Sequence, residues 1–546
     1  MANPPAPFVY IDPSVAPDMR RRCTDPHALE RGTNAIVYYL YTSLPDLPVS
    51  AAATLSALAP APGEVGVDRI SHLPDALLGK ILSRLPIKDA ARTAVLSRRW
   101  RPVWRSAPLV VDDTNLRQPA LAGRVLTRAD SLALTAAVSR VLVAHQGSFR
   151  AVYLVRSYMD AHQESLKLWL RMLVLKGVEE LVLVNRPWPL DVPLPVTLLN
   201  ITTLTRLFIG VWKFPDTSGL PRGAGFPNLR ELTLCCVAMK NRDMEFVLSR
   251  SPALERLGLQ GIQEELCLRL SGRSLQCVQI CFCVVESITV VNAPSLDRLI
   301  LWGSLDGSCI RLKIDHAPKL RLLGYLELGM HKLESGNSTI NAKKRTSPST
   351  MSPSVKILSF SVRFGVRSEV KMMPTFLSCF PNVETLHIKS EKSNEATGKV
   401  NLKFWQAAGP IESIQSSIKV MSFHDFRGER SEIAFLKFFL QNARVLQTVA
   451  IVTDSGCSLS IDELQSKVRS LDPDNWASQD CSLMVHIGSD PEGGALWDFR
   501  KGLDISVGDP FVNRGNAPLV EVAGFERTTW HGTLMDDVYG EGTSVS

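Results

Sequence analysis

The chain has 546 residues, of which 45% are hydrophobic and 21% are charged, and its formal net charge is +7. This length exceeds what one compact core usually supports, so several domains or one elongated array of repeats is expected. The positive charge is spread thinly, with Arg20–Arg22 and Lys343–Arg345 as its densest runs, so we expect no nucleic-acid partner.

The sequence contains no recognisable export or membrane-spanning signal. Its start, Met1-Ala2-Asn3-Pro4-Pro5, lacks the charged segment and apolar run of a secretory signal. No stretch approaches the ~20 apolar residues that cross a bilayer. Eleven scattered cysteines fit a reducing compartment. We therefore expect a soluble intracellular protein of the cytoplasm, the nucleus or both, with no membrane partner.

Residues 1–66 are rich in alanine and proline, which predicts a disordered leader. From residue 73 to residue 108 the spacing of apolar residues predicts helices. The first ends at Leu85-Pro86, since a residue before proline avoids the helical conformation. The second begins near Lys88 and Asp89, carries Trp100 and is interrupted at Pro102, after which a short third turn follows.

This helical segment has more large apolar residues than it can bury. About forty residues rarely form a self-sufficient core, so the remaining apolar surface, within residues 68–110, is expected to bind a partner. The residues that we assign to this surface are Leu73, Pro74, Leu77, Ile81, Leu82, Leu85, Pro86, Leu96, Trp100 and Trp104.

The same segment resembles the plant F-box. The resemblance rests on Leu73–Pro86, which contains the Leu-Pro pair and the run Ile-Leu-Ser-Arg-Leu-Pro, and on Ala94–Arg101, which contains Leu-Ser-Arg-Arg-Trp. It implies a three-helix module that docks on a Skp-type adaptor, and through it on a cullin and a RING subunit. The ten residues named above would then be the adaptor-binding surface.

Beyond residue 145 a short phrase recurs, in which apolar residues occupy the first, fourth and sixth positions. Its central residues lie at 181, 207, 232, 257, 278, 299 and 323, at intervals of 21 to 26 residues. This period is typical of leucine-rich repeats. Looser copies are centred at 152, 358, 386, 421 and 449. The predicted fold class is therefore α/β, a small all-α F-box module followed by a leucine-rich-repeat solenoid at residues 145–412.

Proline marks the entry to five of these units. Each proline stands five residues before a central apolar residue, which places it where the chain enters a strand; the prolines are Pro227, Pro252, Pro294, Pro318 and Pro381. The apolar residues of the phrase are expected to be core. The variable residues between them are candidates for target contact, namely Arg206, Arg230, Glu231, Glu255, Arg256, Asp297, Arg298 and Arg321.

Two further segments interrupt or follow the repeats. Residues 331–354 are polar and are predicted to lack any apolar anchor, so we expect a flexible, exposed insertion. Phe426-Arg427-Gly428 and the helical stretch Glu432–Leu440 resemble the FBD motif, which assigns residues 413–452 to an FBD-like element. Residues 453–546 form a C-terminal extension of unknown role.

We find no sequence motif for catalysis, a cofactor or a metal. Nucleophile elbow, phosphate-binding loop and His-Glu-x-x-His patterns are missing. Cys277, Cys281 and Cys283 lack the second pair that a zinc site needs. We therefore expect a non-catalytic protein, and the F-box resemblance implies that it is the substrate-recognition subunit of an SCF-type ubiquitin ligase. Two alternatives stay open, a leucine-rich-repeat scaffold outside such a ligase and an enzyme hidden in residues 453–546.

Overall fold

The structure is a computed structural model. It describes residues 40, 42–48, 70, 72–116, 128–185, 192–221, 223–304, 309–335, 338–340, 353–393, 400–454, 460–487 and 498–512. These residues form two compact units. The first unit takes its residues from the ranges 1–296, 302–317 and 498–506, and the second from 297–301, 318–497 and 507–546.

The first unit begins with three short helices, α1 (Asp75–Leu82), α2 (Ile87–Thr93) and α3 (Trp100–Ser106). The predicted second helix was wrong in its extent, because α2 ends at Thr93 and Trp100 begins α3. Pro102 does not interrupt a helix. It lies in the first turn of α3, where the missing N–H has no intrahelical acceptor and proline is tolerated.

Seven strands of the first unit form a parallel array in the order β1-β2-β3-β4-β5-β6-β8. The strands are β1 (Leu109–Asp112), β2 (Phe149–Leu154), β3 (Glu180–Val184), β4 (Arg206–Gly210), β5 (Glu231–Cys235), β6 (Arg256–Gln260) and β8 (Cys277–Cys283). Four of the connections between the earlier strands contain a helix or a 3₁₀ turn, namely α4 (Arg128–Ala144), α5 (Gln163–Lys176), the 3₁₀ turn Val196–Asn200 and α6 (Asn241–Ser249).

The later connections of this unit are strands, which the sequence did not predict. A second parallel sheet contains β7 (Leu266–Ser271), β9 (Val285–Asn292) and β11 (Arg311–Ile314), with β9 in the middle. This switch from helical to strand connections begins at the two shortest repeats, in which the central residues 257, 278 and 299 are each 21 residues apart. A strand rises about 3.3 Å per residue and a helix only 1.5 Å, so a strand returns the chain across the repeat with fewer residues.

The second unit contains another parallel array, in the order β10-β12-β15-β16-β17-β18-β19. Its strands are β10 (Arg298–Ser304, of which 298–301 belong to this unit), β12 (Leu322–Glu327), β15 (Ile357–Val362), β16 (Thr385–Ser390), β17 (Val420–Phe426), β18 (Thr448–Thr453) and β19 (Ser482–His486). Its helices are α7 (Arg367–Val370), α8 (Met373–Ser378), α9 (Leu402–Ala408), α10 (Glu412–Ser416), α11 (Arg430–Asn442) and α12 (Ile461–Arg469), with a 3₁₀ turn at Pro473–Asn475.

The central residues of the sequence phrase are in register from strand to strand. In the first unit, Leu181 pairs with Leu207, and this row continues through Leu232 and Leu257 to Val278. All five side chains are buried. The five prolines that were predicted to mark the entry to a strand each lie in a turn, four residues before a strand begins. The predicted architecture, a small all-α module followed by an array of α/β repeats, is confirmed.

The insertion predicted at residues 331–354 does contain an apolar anchor. Leu333 is buried, in a short antiparallel hairpin of β13 (Lys332–Ser335) and β14 (Ser338–Ile340). Residues 341–352, including Lys343–Arg345, lie outside the described residues, so the expected flexibility there stays a prediction. Within the described part of the chain, no helix is both long and apolar enough to cross a membrane.

His331, next to this hairpin, should make the stability of the second unit depend on pH. Its ring is buried, and Nδ1 accepts a hydrogen bond from the Glu327 N–H at 3.1 Å. Burial lowers its pKa to about 4. The unfolded chain takes up this proton below about pH 6.5 while the folded chain does not, so stability falls as the pH drops from there toward 4.

We expect His331 to account for about 2 kcal/mol of the stability lost between pH 7.5 and pH 5. In His331→Gln, urea unfolding at these two pH values should therefore show a smaller loss than in the wild type. His72→Gln, at an exposed position, is the matched control and should keep the wild-type dependence. An unchanged pH dependence in His331→Gln would contradict the assignment.

Candidate functional site

The helical module exposes an apolar surface. On α1, Leu77 and Ile81 are one turn apart and point outward, with 44% and 39% of their surfaces exposed. Val95 and Leu96, in the turn between α2 and α3, are 81% and 69% exposed. Pro74, directly before α1, is also exposed. We call Pro74, Leu77, Ile81, Val95 and Leu96 the helical surface.

Several residues that the sequence assigned to adaptor binding lie inside the module. Leu82 and Trp100 are buried, so in the unbound chain their side chains are not at the surface. Leu73, Leu85 and Pro86 are half-buried. Trp104 packs against the His145 ring at 4.9 Å between centroids, after the end of α4. Leu82 and Trp100 are therefore placed to support the helical surface, whereas the four half-buried residues keep part of their side chains exposed and their assignment to adaptor binding stays a prediction. Val95, which the prediction omitted, is one of the most exposed apolar residues of the module.

One arginine joins the two halves of the F-box-like motif. The Arg99 guanidinium forms an ion pair with the Asp75 carboxylate at 2.7 Å and also donates to the Leu73 carbonyl. Since both charged groups are well exposed, the ion pair contributes little stability. It does fix the start of α1 next to the start of α3. The module also packs on the repeats, because α2 contacts β1.

The variable residues at the strand starts form ion-pair ladders. In the first unit, Arg206 lies between Glu180 and Glu231, at 3.2 and 3.4 Å, and Arg256 continues the ladder at 2.7 Å from Glu231. Burial alone would lower the pKa of Arg206, but the two carboxylates raise it. Arg230 pairs with Glu255 at 3.1 Å. These charges are thus matched within the chain rather than presented unpaired to a target.

The second unit repeats the arrangement at Asp297, which accepts from Arg298 and Arg321 at 3.2 and 3.0 Å. Further along, Glu384 lies between Lys356 and Lys419, at 2.8 and 2.9 Å. Hydrogen bonds from these two ammonium groups hold the pKa of Glu384 below its usual value. Ion-pair ladders at the strand starts therefore occur in both units.

Each strand has a second face, opposite to the buried central residues, which we call the strand face. In the first unit, part of this face is covered by the N-terminal segment, residues 40 and 42–48. Leu40 packs with Tyr153, Val182 and Phe208 in one apolar cluster. A Cβ at position 210 would clash with Leu40 Cδ2, so glycine at this position leaves room for the Leu40 side chain. The predicted disordered leader therefore includes residues that pack on the repeats, while most of residues 1–66 lies outside the described residues.

A tail segment, residues 498–506, covers the neighbouring part of the same face. It contains the single-turn helix α13 (Phe499–Leu503), whose Phe499 and Leu503 are buried. The Gln279 amide donates to the Phe499 carbonyl at 3.1 Å, and the Cys277 thiol lies 3.5 Å from the Gly502 carbonyl. Arg500 also forms an ion pair with Asp46 of the N-terminal segment at 2.6 Å. Two segments far apart in sequence thus lie on the strand face.

The chain continues in the second unit as residues 507–512, the tail continuation. Arg321 donates to the Gly508 carbonyl at 3.2 Å, and the buried Arg298 donates to the Val507 carbonyl. The Asp509 carboxylate lies 2.9 Å from His387 Nε2, and Phe511 packs edge-on against Tyr325. Arg298 and Arg321, which the sequence placed among the candidates for target contact, therefore bind the chain's own backbone.

The FBD-like element is built as one more repeat of the second unit. Strand β17 leads through a turn into α11 and then into β18, and both strands pair in parallel with their neighbours. The buried Glu432 carboxylate accepts from the Ser390 hydroxyl at 2.6 Å and from the Arg427 and Glu429 N–H groups. Burial raises the pKa of Glu432. This carboxylate fixes the turn and ties it to β16, which accounts for the Arg-Gly-x-x-x-Glu spacing.

The three clustered cysteines are buried on β8. The Cys283 thiol donates to the Cys281 carbonyl at 3.3 Å, and burial raises its pKa to about 12. Burial also raises the pKa of Cys281. Thiols in this state are poor nucleophiles and poor metal ligands, because both roles need the thiolate.

Comparison with known proteins assigns three regions of the chain to families. The F-box domain model matches residues 70–112. The model of the LRR repeats of FBD-associated F-box protein At5g56370 matches residues 166–388, and the FBD model matches residues 406–451. The matches follow the three structural features in order: the helices, the strand arrays and the repeat around Glu432.

Three relatives from Arabidopsis thaliana each carry two of these three elements in their names. F-box/LRR-repeat protein At3g26922 is 30% identical over 274 residues, which cover 50% of this chain and 78% of the relative. F-box/LRR-repeat protein 13 is 26% identical over 72% of this chain and 91% of its own length. FBD-associated F-box protein At5g60610 is 25% identical over 70% of this chain and 100% of its own.

The helices and parallel repeats define a leucine-rich-repeat protein with a small helical module before the repeats. The chain belongs to the plant F-box/LRR/FBD family. F-box/LRR proteins are generally non-catalytic substrate adaptors of SCF ubiquitin ligases, and the F-box domain generally binds Skp-type adaptors.

Proposed function

We propose that this chain is the substrate-recognition subunit of an SCF-type ubiquitin ligase. Its helical surface docks on a Skp-type adaptor, which connects it to a cullin and a RING subunit. The repeats hold a protein target. Ubiquitin transfer is done by the partner subunits, so the chain itself needs no catalytic residue, cofactor or metal.

The observation that carries this proposal is the helical surface. Five apolar residues lie exposed within one short module, although an exposed Leu or Val next to others is unfavourable in water. Leu78, Leu82 and Trp100 already fill the interior of the module. The exposed residues are thus available to a partner, and their position within the matched F-box region supports a Skp-type adaptor as that partner.

Co-expression of the full chain with a Skp-type adaptor tests the proposal. We expect the two proteins to co-purify as a 1:1 complex that persists through size-exclusion chromatography. The matched control is the chain lacking residues 70–106, which should not retain the adaptor. If the intact, folded chain leaves the adaptor unbound, the alternative of a leucine-rich-repeat scaffold outside an SCF ligase is favoured instead.

A further inference from the structure

The tail segment, residues 498–506, is bound in the way that a peptide ligand is bound. The repeat core beneath it is complete without it, because Leu257 and Leu259 point into the interior and are fully buried there. The tail segment lies on the opposite face of β6, the strand that contains Leu257 and Leu259. Repeat proteins use such extended faces for binding.

The contacts combine two apolar anchors with main-chain recognition. Phe499 and Leu503, one helical turn apart, are buried against the strand face, while Arg500, Asp504, Ile505 and Ser506 are exposed. Gln279 and Cys277 hydrogen-bond to backbone carbonyls, not to side chains. A site that hydrogen-bonds to backbone carbonyls and buries two anchor side chains can bind another segment that has the same two anchors.

Gly258 on β6 forms the floor under both anchors. A Cβ at this position would lie 2.8 Å from Phe499 Cζ and 3.0 Å from Leu503 Cδ1, and the nearest atoms it meets all belong to these two side chains. A glycine in the middle of a strand weakens the strand unless another group must approach closely. Here the approaching group is the tail segment, so Gly258 marks a binding site rather than a packing requirement of the repeats.

We propose that the strand face around Gly258, Cys277 and Gln279 is a peptide-binding site that the tail segment occupies in cis. The site would bind a partner segment that forms one helical turn, with an acidic residue before it, an aromatic residue at its start and a leucine four positions later. The partner must displace the tail segment to bind. This inference deepens the proposed function by naming the chemistry of a target, but peptide binding here needs no adaptor.

The test uses the full chain and a fluorescein-labelled peptide of residues 498–506. The double variant Phe499→Ala/Leu503→Ala removes both anchors of the tail segment and should open the site. In fluorescence anisotropy, we expect this variant to bind the peptide at least tenfold more tightly than the wild type, in which the tethered segment competes at a high effective concentration.

Adding Gly258→Val to the double variant should abolish peptide binding, because the valine side chain fills the space of both anchors. Valine is otherwise well suited to a strand. Gly272→Val is the matched control, since a Cβ there meets only Leu275 at 3.6 Å, and it should leave binding unchanged.

Two outcomes would overturn the proposal. The first is a folded double variant that binds the peptide no better than the wild type. The second is loss of the folded state in both the double variant and the single variant Gly258→Val, measured by circular dichroism, which would make the tail segment a fixed part of the fold. Adaptor binding is measured separately on the same variants, so failure of the proposed function would be seen there and not in the peptide assay.

Discussion

Leu77→Asp is expected to reduce the affinity for a Skp-type adaptor by at least a hundredfold while leaving the chain folded. Leu77 is an exposed member of the helical surface, and an aspartate there would bring an unpaired carboxylate into an apolar interface. The position lies in the first turn of α1, where a negative charge interacts favourably with the helix dipole. Isothermal titration calorimetry with purified adaptor gives the affinity.

The matched control is Leu132→Asp, which places the same substitution on α4, where Leu132 is 64% exposed. It should bind the adaptor as the wild type does. Trp100→Ala would be a poor substitute for Leu77→Asp. Trp100 is a core residue of the module, and its truncation would lower stability by about 3 to 5 kcal/mol. Wild-type affinity in Leu77→Asp would show that the adaptor does not contact the helical surface.

Leu257→Asp is expected to unfold the repeats around β6 without abolishing adaptor binding. Leu257 is fully buried between Leu232 and Val278, so the substitution would leave a carboxylate without a partner in an apolar interior. A loss of about 4 kcal/mol or more is typical of such changes. Repeats are stabilised mainly by their neighbours, and β6 is five strands from β1, the strand that α2 contacts.

Circular dichroism melting should therefore show an early transition in Leu257→Asp, together with adaptor affinity within threefold of the wild type. The control is Leu132→Asp on α4, where the side chain is 64% exposed and a charge remains hydrated. It should melt like the wild type. Loss of adaptor binding in step with the early transition would mean that the helical module and the repeats fold as one cooperative unit.

The strands could be predicted where the phrase was complete. Each of its twelve copies corresponds to an observed strand, since three apolar anchors within six residues are a local signal. Within the two parallel arrays, the sequence did not reveal β1 and β19, and each lacks one apolar anchor. In β1 the central position is Val111, which pairs with Val152, and Asp113 stands at the sixth position; in β19 Asp480 stands at the first position. Their pairing with a complete repeat compensates for the missing side chain.

The strand face could not be predicted, because its cover comes from distant parts of the chain. Gln279 and Phe499 are separated by 220 residues, and nothing local to either residue indicates the contact. The charged residues of the ladders were recognisable as variable positions, but their pairing follows from strand register. On the helical module, spacing identified the apolar residues. Only the three-dimensional packing separates the exposed Leu77 from the buried Leu82.

The central claim is that the helical surface alone connects this chain to its ligase. The most direct measurement is the dissociation constant of a Skp-type adaptor for the full-length wild type, Leu77→Asp and Leu257→Asp, determined side by side by calorimetry. We expect tight binding to the wild type and to Leu257→Asp, and a loss of at least a hundredfold for Leu77→Asp. Equal affinities for the wild type and Leu77→Asp, or no measurable binding to the wild type, would contradict the claim.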